Sequence, residues 1–185
     1  MNMFYLVDVE DYVRVEPKLF GLDTAEAVKQ QLHKTYADFQ DRDLGEVIDI
    51  LEVLEVTDGI IIPGDGAAYY KSSFKLVVFK PELQELVYGQ IEEITSFGAF
   101  MSMGVSRGMI HISQTMDDFV SFSKEKSLQG KQSSRSLKGG DICRTRVIAV
   151  SYKDVSNPKF GLTMRQPGLG KVEWVLEEAQ KKAAK

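Results

Sequence analysis

Between Glu85 and Ser113 the chain reads ELVYGQIEEITSFGAFMSMGVSRGMIHIS, a stretch that constrains the fold more than any other. Val87, Ile91 and Ile94 make an apolar series interrupted by Gln90, Glu92 and Glu93, the pattern of a half-buried strand. Gly89 marks a bend or bulge within it. Phe97-Gly98-Ala99-Phe100 then sets two aromatics around a glycine, and a bulge at Gly98 lets both rings reach one broad surface. In the third run, Gly108 to Ser113, Met109, His111 and Ser113 alternate against Ile110 and Ile112, which makes His111 a candidate neighbour of the rings. The expectation is the opening three strands of a small β-barrel with a nucleic-acid-binding face. The alternative is that Phe97 and Phe100 belong to the barrel core and His111 is an ordinary exposed strand residue.

Downstream residues complete such a barrel. Thr115 to Gly140 is polar, carries Lys124, Lys126, Lys131, Arg135 and Lys138, and reads as an insertion between strands. DICRTRVIAV, Asp141 to Val150, is a fourth strand with Ile142, Arg144, Arg146 and Ile148 on one side, and KFGLTM, Lys159 to Met164, is a fifth. Five short strands with an interrupted closure fit an oligonucleotide-binding (OB) barrel. A helix follows from Lys171, with Val172, Val175, Leu176 and Ala179 at helical spacing and AQKKAAK as a fraying end. Trp174 reads as a packing residue of that helix rather than a base-stacking platform, and Cys143 as a small barrel residue.

The preceding half has a different character. Up to Glu82 there are 8 basic and 16 acidic residues, a net of −8, whereas Leu83 to Lys185 holds 15 basic and 11 acidic, a net of +4. The overall −4 therefore hides two domains suited to different partners, of which only the second suits nucleic acid. A boundary is expected at Pro81, giving domains 1–81 and 82–185. Met3 to Val15 is a first strand. Asp23 is a helix N-cap with Glu26 as its capping-box partner, ahead of a face of Ala25, Val28, Leu32 and Tyr36. EVIDILEVLEVT, Glu46 to Thr57, has mixed faces and reads as a long, bent or doubly buried strand, with further strands at Gly59 to Ile62 and Ser73 to Phe79. One helix on a small antiparallel sheet is the expected architecture, and the class of the whole is α+β. Between the last two strands, Gly64, Asp65, Gly66, Ala67 and Ala68 form a tight loop, either a docking tip or an ordinary hairpin loop. No Gly-Lys-Ser/Thr follows, so it is not a phosphate loop.

Composition excludes several classes. One cysteine and two histidines cannot make a disulfide framework or a four-ligand protein zinc site. No apolar stretch approaches the ~20 residues of a membrane span, and the acidic amino terminus is no export signal, so a cytoplasmic protein without membrane contact is expected. Neither His33 nor the Asp117-Asp118 pair has the companions of a catalytic site, and the carboxylates are spread rather than clustered for metals. The expectation is a non-enzymatic chain without cofactor or metal, and a free-standing RNA-binding translation factor is one form it can take.

The segment GQIEEITSFGAFMSMG…RGMIHIS resembles the RNA-binding OB module repeated in the largest small-subunit ribosomal protein. PGDGAAYY, the MDDFVSF after HISQ, and LTMRQPGLGKVEW narrow the likeness. With the amino-terminal layout, essentially the whole chain resembles the family of the E-prime component of archaeal DNA-directed RNA polymerase, counterpart of the seventh subunit of eukaryotic polymerase II. That resemblance implies a stalk subunit without a polymerase active site, paired with the F component of the RNA polymerase and binding emerging single-stranded RNA through its barrel. It implies a truncated RNP-like amino-terminal domain whose tip, matched by Gly64 to Ala68, docks on the polymerase core. It also implies an RNA face of Phe97, Phe100 and His111, followed by an acid and an arginine where this chain has Ser151 and Lys159. Arg144, Arg146 and Lys159 are the local cations of that face.

Overall fold

The computed structural model describes residues 3–183, and the chain divides into two compact units, one ending at Lys80 and the other beginning at Pro81. In the first, β1 (Phe4–Val15), β3 (Gly45–Val56) and β5 (Ala68–Phe79) are long antiparallel strands, and β2 (Gln40–Asp41) and β4 (Ile60–Ile61) are short ones. The order is β1-β5-β3-β2, with β4 added to β5. Helix α1 (Thr24–Tyr36) covers one face, and Val28, Leu32, Phe74 and Leu76 are almost wholly buried between helix and sheet. Asp23 caps α1 by accepting from the Ala25 amide, while Glu26 accepts from Gln30 one turn on.

The buried stripe of α1 is Ala27, Val28, Gln31 and Leu32, with Ala25 exposed, so the expected face is rotated by part of a turn. Val28 and Leu32, almost wholly buried, fix the orientation, and Ala25 lies in the first turn, on the exposed side that this orientation leaves.

β3 explains why its sequence showed two mixed faces. Its register against β5 slips three times, between Val47 and Asp49, Ile50 and Glu52, and Val53 and Glu55. Each slip leaves one residue unpaired, so Val47, Ile50, Val53 and Val56 turn toward the core at every third position. Ile48, Leu51 and Leu54 are the unpaired residues, and all three are exposed.

The second unit is a closed barrel. Its strands are β6 (Leu86–Thr95), β7 (Gly98–Ser102), β8 (Arg107–His111), β12 (Ile142–Ser151) and β13 (Lys159–Thr163). They pair in the order β13-β8-β7-β6-β12, and a β12–β13 pairing closes the ring. The β13–β8 pairing is parallel and the rest are antiparallel, which is the OB arrangement. Val87, Ile91, Ile94, Met101, Ile110, Cys143, Val147 and Leu162 fill the interior. Burial raises the Cys143 thiol to about 12, so it packs as a small apolar residue and is no nucleophile at neutral pH.

Gly89 is the site of a close approach, not of the bulge. A Cβ there would collide with the Ser102 carbonyl oxygen, whereas the register slip in β6 falls at Glu92. β8 ends at His111, and Ile112–Gln114 form a single 3-10 turn instead of prolonging the strand. The insertion is a small sheet of its own, β9 (Val120–Ser123), β10 (Ser127–Gly130) and β11 (Ser136–Leu137). Its inner face buries Leu128 and Leu137.

β14 (Gly170–Lys171) pairs with β12 and leads into α2 (Val172–Ala183). Trp174 is only 7% exposed and lies under the Arg135 guanidinium at 5.2 Å, with Arg135 also paired to Glu178 at 2.8 Å. The indole is therefore a packing anchor with no face open to a base. Leu176, expected on the buried stripe, is exposed because the indole centres the stripe two residues earlier. The last residues of AQKKAAK, 184 and 185, lie outside the described residues.

Candidate nucleic-acid interface

All five barrel strands contribute to one groove. Phe100 on β7 pairs with Met109 on β8, and Gly98 pairs with His111, so that the three side chains of Phe100, Met109 and His111 come from adjacent registers. Across the β8–β13 seam, β12 and β13 supply Ser151 and Lys159, which face each other in register. The register slip in β12 between Val147 and Ala149 brings Ile148 and Ala149 both to the same wall. These residues, with Asn157 and Pro158 from the connecting loop, line a groove of about 690 Å³. It has an apolar floor, with Lys159, Arg107 and the His111 imidazole as basic groups and Glu93, paired in register with Phe100, as an acid.

Phe97 occupies the turn between β6 and β7 and is 48% exposed. Its ring stands edge-on to Phe100 at 6.0 Å and 86°, which extends the aromatic surface beyond the groove wall. Gly98 permits this because a side chain there would strike the Ile110 carbonyl of the neighbouring strand. Both rings therefore lie outside the barrel core, Phe97 exposed and Phe100 half-buried at the groove. His111 Nδ1 lies 2.8 Å from Ser113 Oγ and accepts from the Ser113 amide at 3.3 Å. That pattern assigns the neutral imidazole proton to Nε2, available as a donor.

Of the expected RNA residues, the structure brings Phe100, His111 and Lys159 into one groove with Phe97 beside them. It does not bring Arg144 and Arg146 there. Both point outward from β12, in the part that pairs with β6. Arg144 donates to the Gly168 carbonyl and to Tyr88 Oη and lies over the Tyr88 ring at 5.9 Å, and Arg146 donates to the Gln84 carbonyl at 2.9 Å. Their guanidinium groups brace the carboxy-terminal turn and the start of the unit. Met109, Ile148 and Asn157 are groove residues that the sequence reading missed. Met109 was visible through its alternation with His111, but Ile148 reaches the groove only through a register slip that no local pattern announces.

The glycine loop belongs to the first unit. Gly64 and Gly66 have φ of +94° and +72°, the left-handed conformations that an Asp between glycines suggests. Asp65 is clamped by Arg14, with Nη2–Oδ1 2.6 Å and Nε–Oδ2 3.0 Å, and accepts from Tyr69 Oη at 2.5 Å. Ala67 and Ala68 are buried, while Ile60, Ile61 and Ile62 form an exposed apolar run alongside. The loop is thus held by bonds within its own unit, beside an exposed isoleucine flank that no local sequence pattern singles out.

The bonds to Arg14 and Tyr69 hold the Asp65 carboxyl down at about 2. A folded value below the ordinary ~3.9 means that the clamp stabilises fully above that ordinary value and is lost as pH falls toward the folded value. Asp65→Asn is therefore expected to lower the melting temperature at neutral pH. The deficit should shrink between pH ~4 and about 2, read by circular dichroism melts. A deficit that does not vary with pH would mean the clamp contributes nothing through its charge.

A closed barrel of this strand order is the OB fold, and its groove of aromatic rings, imidazole and lysine is the candidate face for a nucleic acid. Residues 10–66 match the model of the SHS2 domain found in the N terminus of Rpb7p/Rpc25p/MJ0397. The chain is 34% identical over 180 residues to DNA-directed RNA polymerase subunit Rpo7 of Sulfolobus acidocaldarius, covering 97% of this chain and 98% of that one. The Rpo7 of Saccharolobus solfataricus is also 34% identical, over 177 residues, 95% of this chain and 98% of its own. DNA-directed RNA polymerase III subunit RPC8 of Saccharomyces cerevisiae is 39% identical over 101 residues, 55% of this chain and 48% of its own. The chain belongs to the family of DNA-directed RNA polymerase subunits that includes Rpo7 and RPC8.

Proposed function

We propose that this chain is the non-catalytic stalk subunit of a cytoplasmic, archaeal-type DNA-dependent RNA polymerase. In this reading it pairs with the polymerase's F component, docks on the polymerase core through the Gly64 to Ala68 tip and guides single-stranded RNA across its barrel. The observation that carries the RNA role is the groove itself, in which Phe100, His111 and Lys159 converge from three strands. Bases stack on Phe100 and Phe97, the His111 Nε2 proton and the Ser151 hydroxyl meet polar edges or sugar hydroxyls, and Lys159 meets phosphate. No part of this recognition requires one base over another, which suits a transcript of arbitrary sequence. Ser151 and Lys159, where the resemblance implies an acid and an arginine, keep the cation but remove the negative neighbour, which favours backbone contact over base reading.

Two features support the protein partners. Asp65 and its clamp make a stiff tip beside the exposed Ile60 to Ile62, the form expected of a docking element. Phe4 and Leu6 leave apolar side chains exposed on β1, and a partner covering them stabilises the folded chain. Among the described residues no helix is long and apolar enough to cross a membrane.

Affinity purification of the tagged chain at moderate salt, with mass identification, is expected to recover a small acidic helical protein and the polymerase core. Saturating the pure chain with that small partner at a hundredfold excess over Kd should stabilise it by about 2.7 kcal/mol in a thermal melt. Recovery of the chain alone, or with ribosomal subunits and no polymerase, would instead favour a free-standing translation factor.

A further inference from the structure

We propose that single-stranded RNA leaving the groove continues past Ser113 onto the insertion, where the ring of Phe119 takes a further base beside Lys131. The proposal rests on the groove reading above and extends it to a surface that no part of that reading uses. Phe119 is 74% exposed, the most exposed large hydrophobic side chain among the described residues, although its backbone is firmly held. Its amide donates to Asp118 Oδ1 at 2.6 Å, and its carbonyl accepts from the Lys131 amide at 2.9 Å. An aromatic fixed at both backbone atoms yet left in water is preorganised to receive a flat partner.

Continuity with the groove comes through one bonded pair. His111 lines the groove and lies 2.8 Å from Ser113 Oγ, and Ser113 lines a second hollow of about 470 Å³ together with Phe119, Gln132 and Arg165. Only the Ile112–Gln114 turn separates the two. The acids at this hollow are already engaged. Asp117 pairs with Arg165 at 2.8 Å, and Asp118 accepts from the amides of Gln132 and Ser133 at 2.9 and 2.8 Å. The insertion from Thr115 to Gly140 has five basic residues against three acidic ones, and two of the three are these engaged aspartates. Both carboxylates of the hollow are thus bonded within the protein, and the cations that draw a polyanion are Arg165 at the hollow and the basic excess of the insertion around it. That chemistry favours RNA over an acidic protein surface, which would have no use for a stacking ring.

The test is fluorescence anisotropy on the full chain with labelled oligouridines of about 4 and about 12 nucleotides, within the range of site sizes for one OB unit. Phe119→Ala is expected to leave the short oligomer unchanged and to weaken the long one at least about fivefold, the loss of one stacked base. Phe119→Tyr should bind both as wild type does. Phe100→Leu, in the groove, should weaken both lengths. If Phe119→Ala binds the long oligomer normally while Phe100→Leu does not, the extension is wrong and the groove reading stands. If Phe119→Ala weakens both lengths equally, the effect is not a track extension, and the proposal fails. If Phe100→Leu changes neither length, the groove reading fails, and with it the track. Unchanged RNA binding combined with loss of the Phe119→Ala chain from polymerase would identify the ring as a protein contact and overturn the proposal.

Discussion

Gly89→Ala is expected to destabilise the barrel by about 3 kcal/mol or more, enough to move its thermal transition by more than ~10 °C or to remove it. A methyl group at this position would run into the Ser102 carbonyl oxygen on β7 and come within 2.9 Å of Met101 Cγ. Neither neighbour can yield cheaply. The oxygen belongs to the strand backbone, and Met101 is fully buried. Gly139→Ala is the control, because a Cβ there meets nothing closer than the Glu92 carbonyl at 3.8 Å. Differential scanning calorimetry of the two variants beside the unsubstituted chain decides the matter. A Gly89→Ala protein that melts with the unsubstituted chain would mean that β6 and β7 lie farther apart than described.

The second large effect is on RNA. Phe100→Leu keeps an apolar residue at the groove wall but removes the ring, and the affinity for a short single strand is expected to fall by about 1–3 kcal/mol with little change of sequence preference. Lys159→Gln should act differently, reducing the slope of log K against log salt by ~0.7 for the one phosphate contact it loses. Arg144→Ala provides a contrast. Because that guanidinium is bonded to Gly168 and Tyr88, its loss should lower the melting temperature and leave the salt slope nearly unchanged. Lys29→Ala on α1 should alter neither. Titrations by anisotropy at several salt concentrations separate these outcomes, and equal slopes for Lys159→Gln and the unsubstituted chain would remove Lys159 from the phosphate path.

How far the sequence revealed this structure depends on how local each determinant is. The strands carrying Val87, Ile91 and Ile94, and the facing of Met109 and His111 against Ile110, follow from alternation over a few residues, and the fold shows the same facing. The Asp23 cap is equally local. Register is not. The slips at Glu92, at Ile148 and three times in β3 depend on the partner strand, so the route by which Ile148 enters the groove is written in β13 as much as in β12. The arginines show the same limit. Arg144 and Arg146 share a side with Ile142, as alternation requires, but whether that side faces the groove or the carboxy-terminal turn depends on the curvature of a closed barrel. Phe119 falls within MDDFVSF, a mark of the family resemblance, and nothing local distinguishes an exposed Phe from a buried one.

The three slips in β3 also bear on how the chain behaves at high concentration. Beyond its short pairing with β2, this strand is the border of the sheet, and the apolar, β-branched residues of EVIDILEVLEV would invite edge pairing with another copy but for its four acidic ones. A straight border would offer a continuous ladder of amide and carbonyl groups to a second molecule. Here every third residue is displaced, so the ladder is broken at Ile48, Leu51 and Leu54, and Glu52 and Glu55 add like charge between the gaps. The irregularity that hid the strand's faces from sequence inspection thus also works against edge-to-edge pairing between copies of the chain.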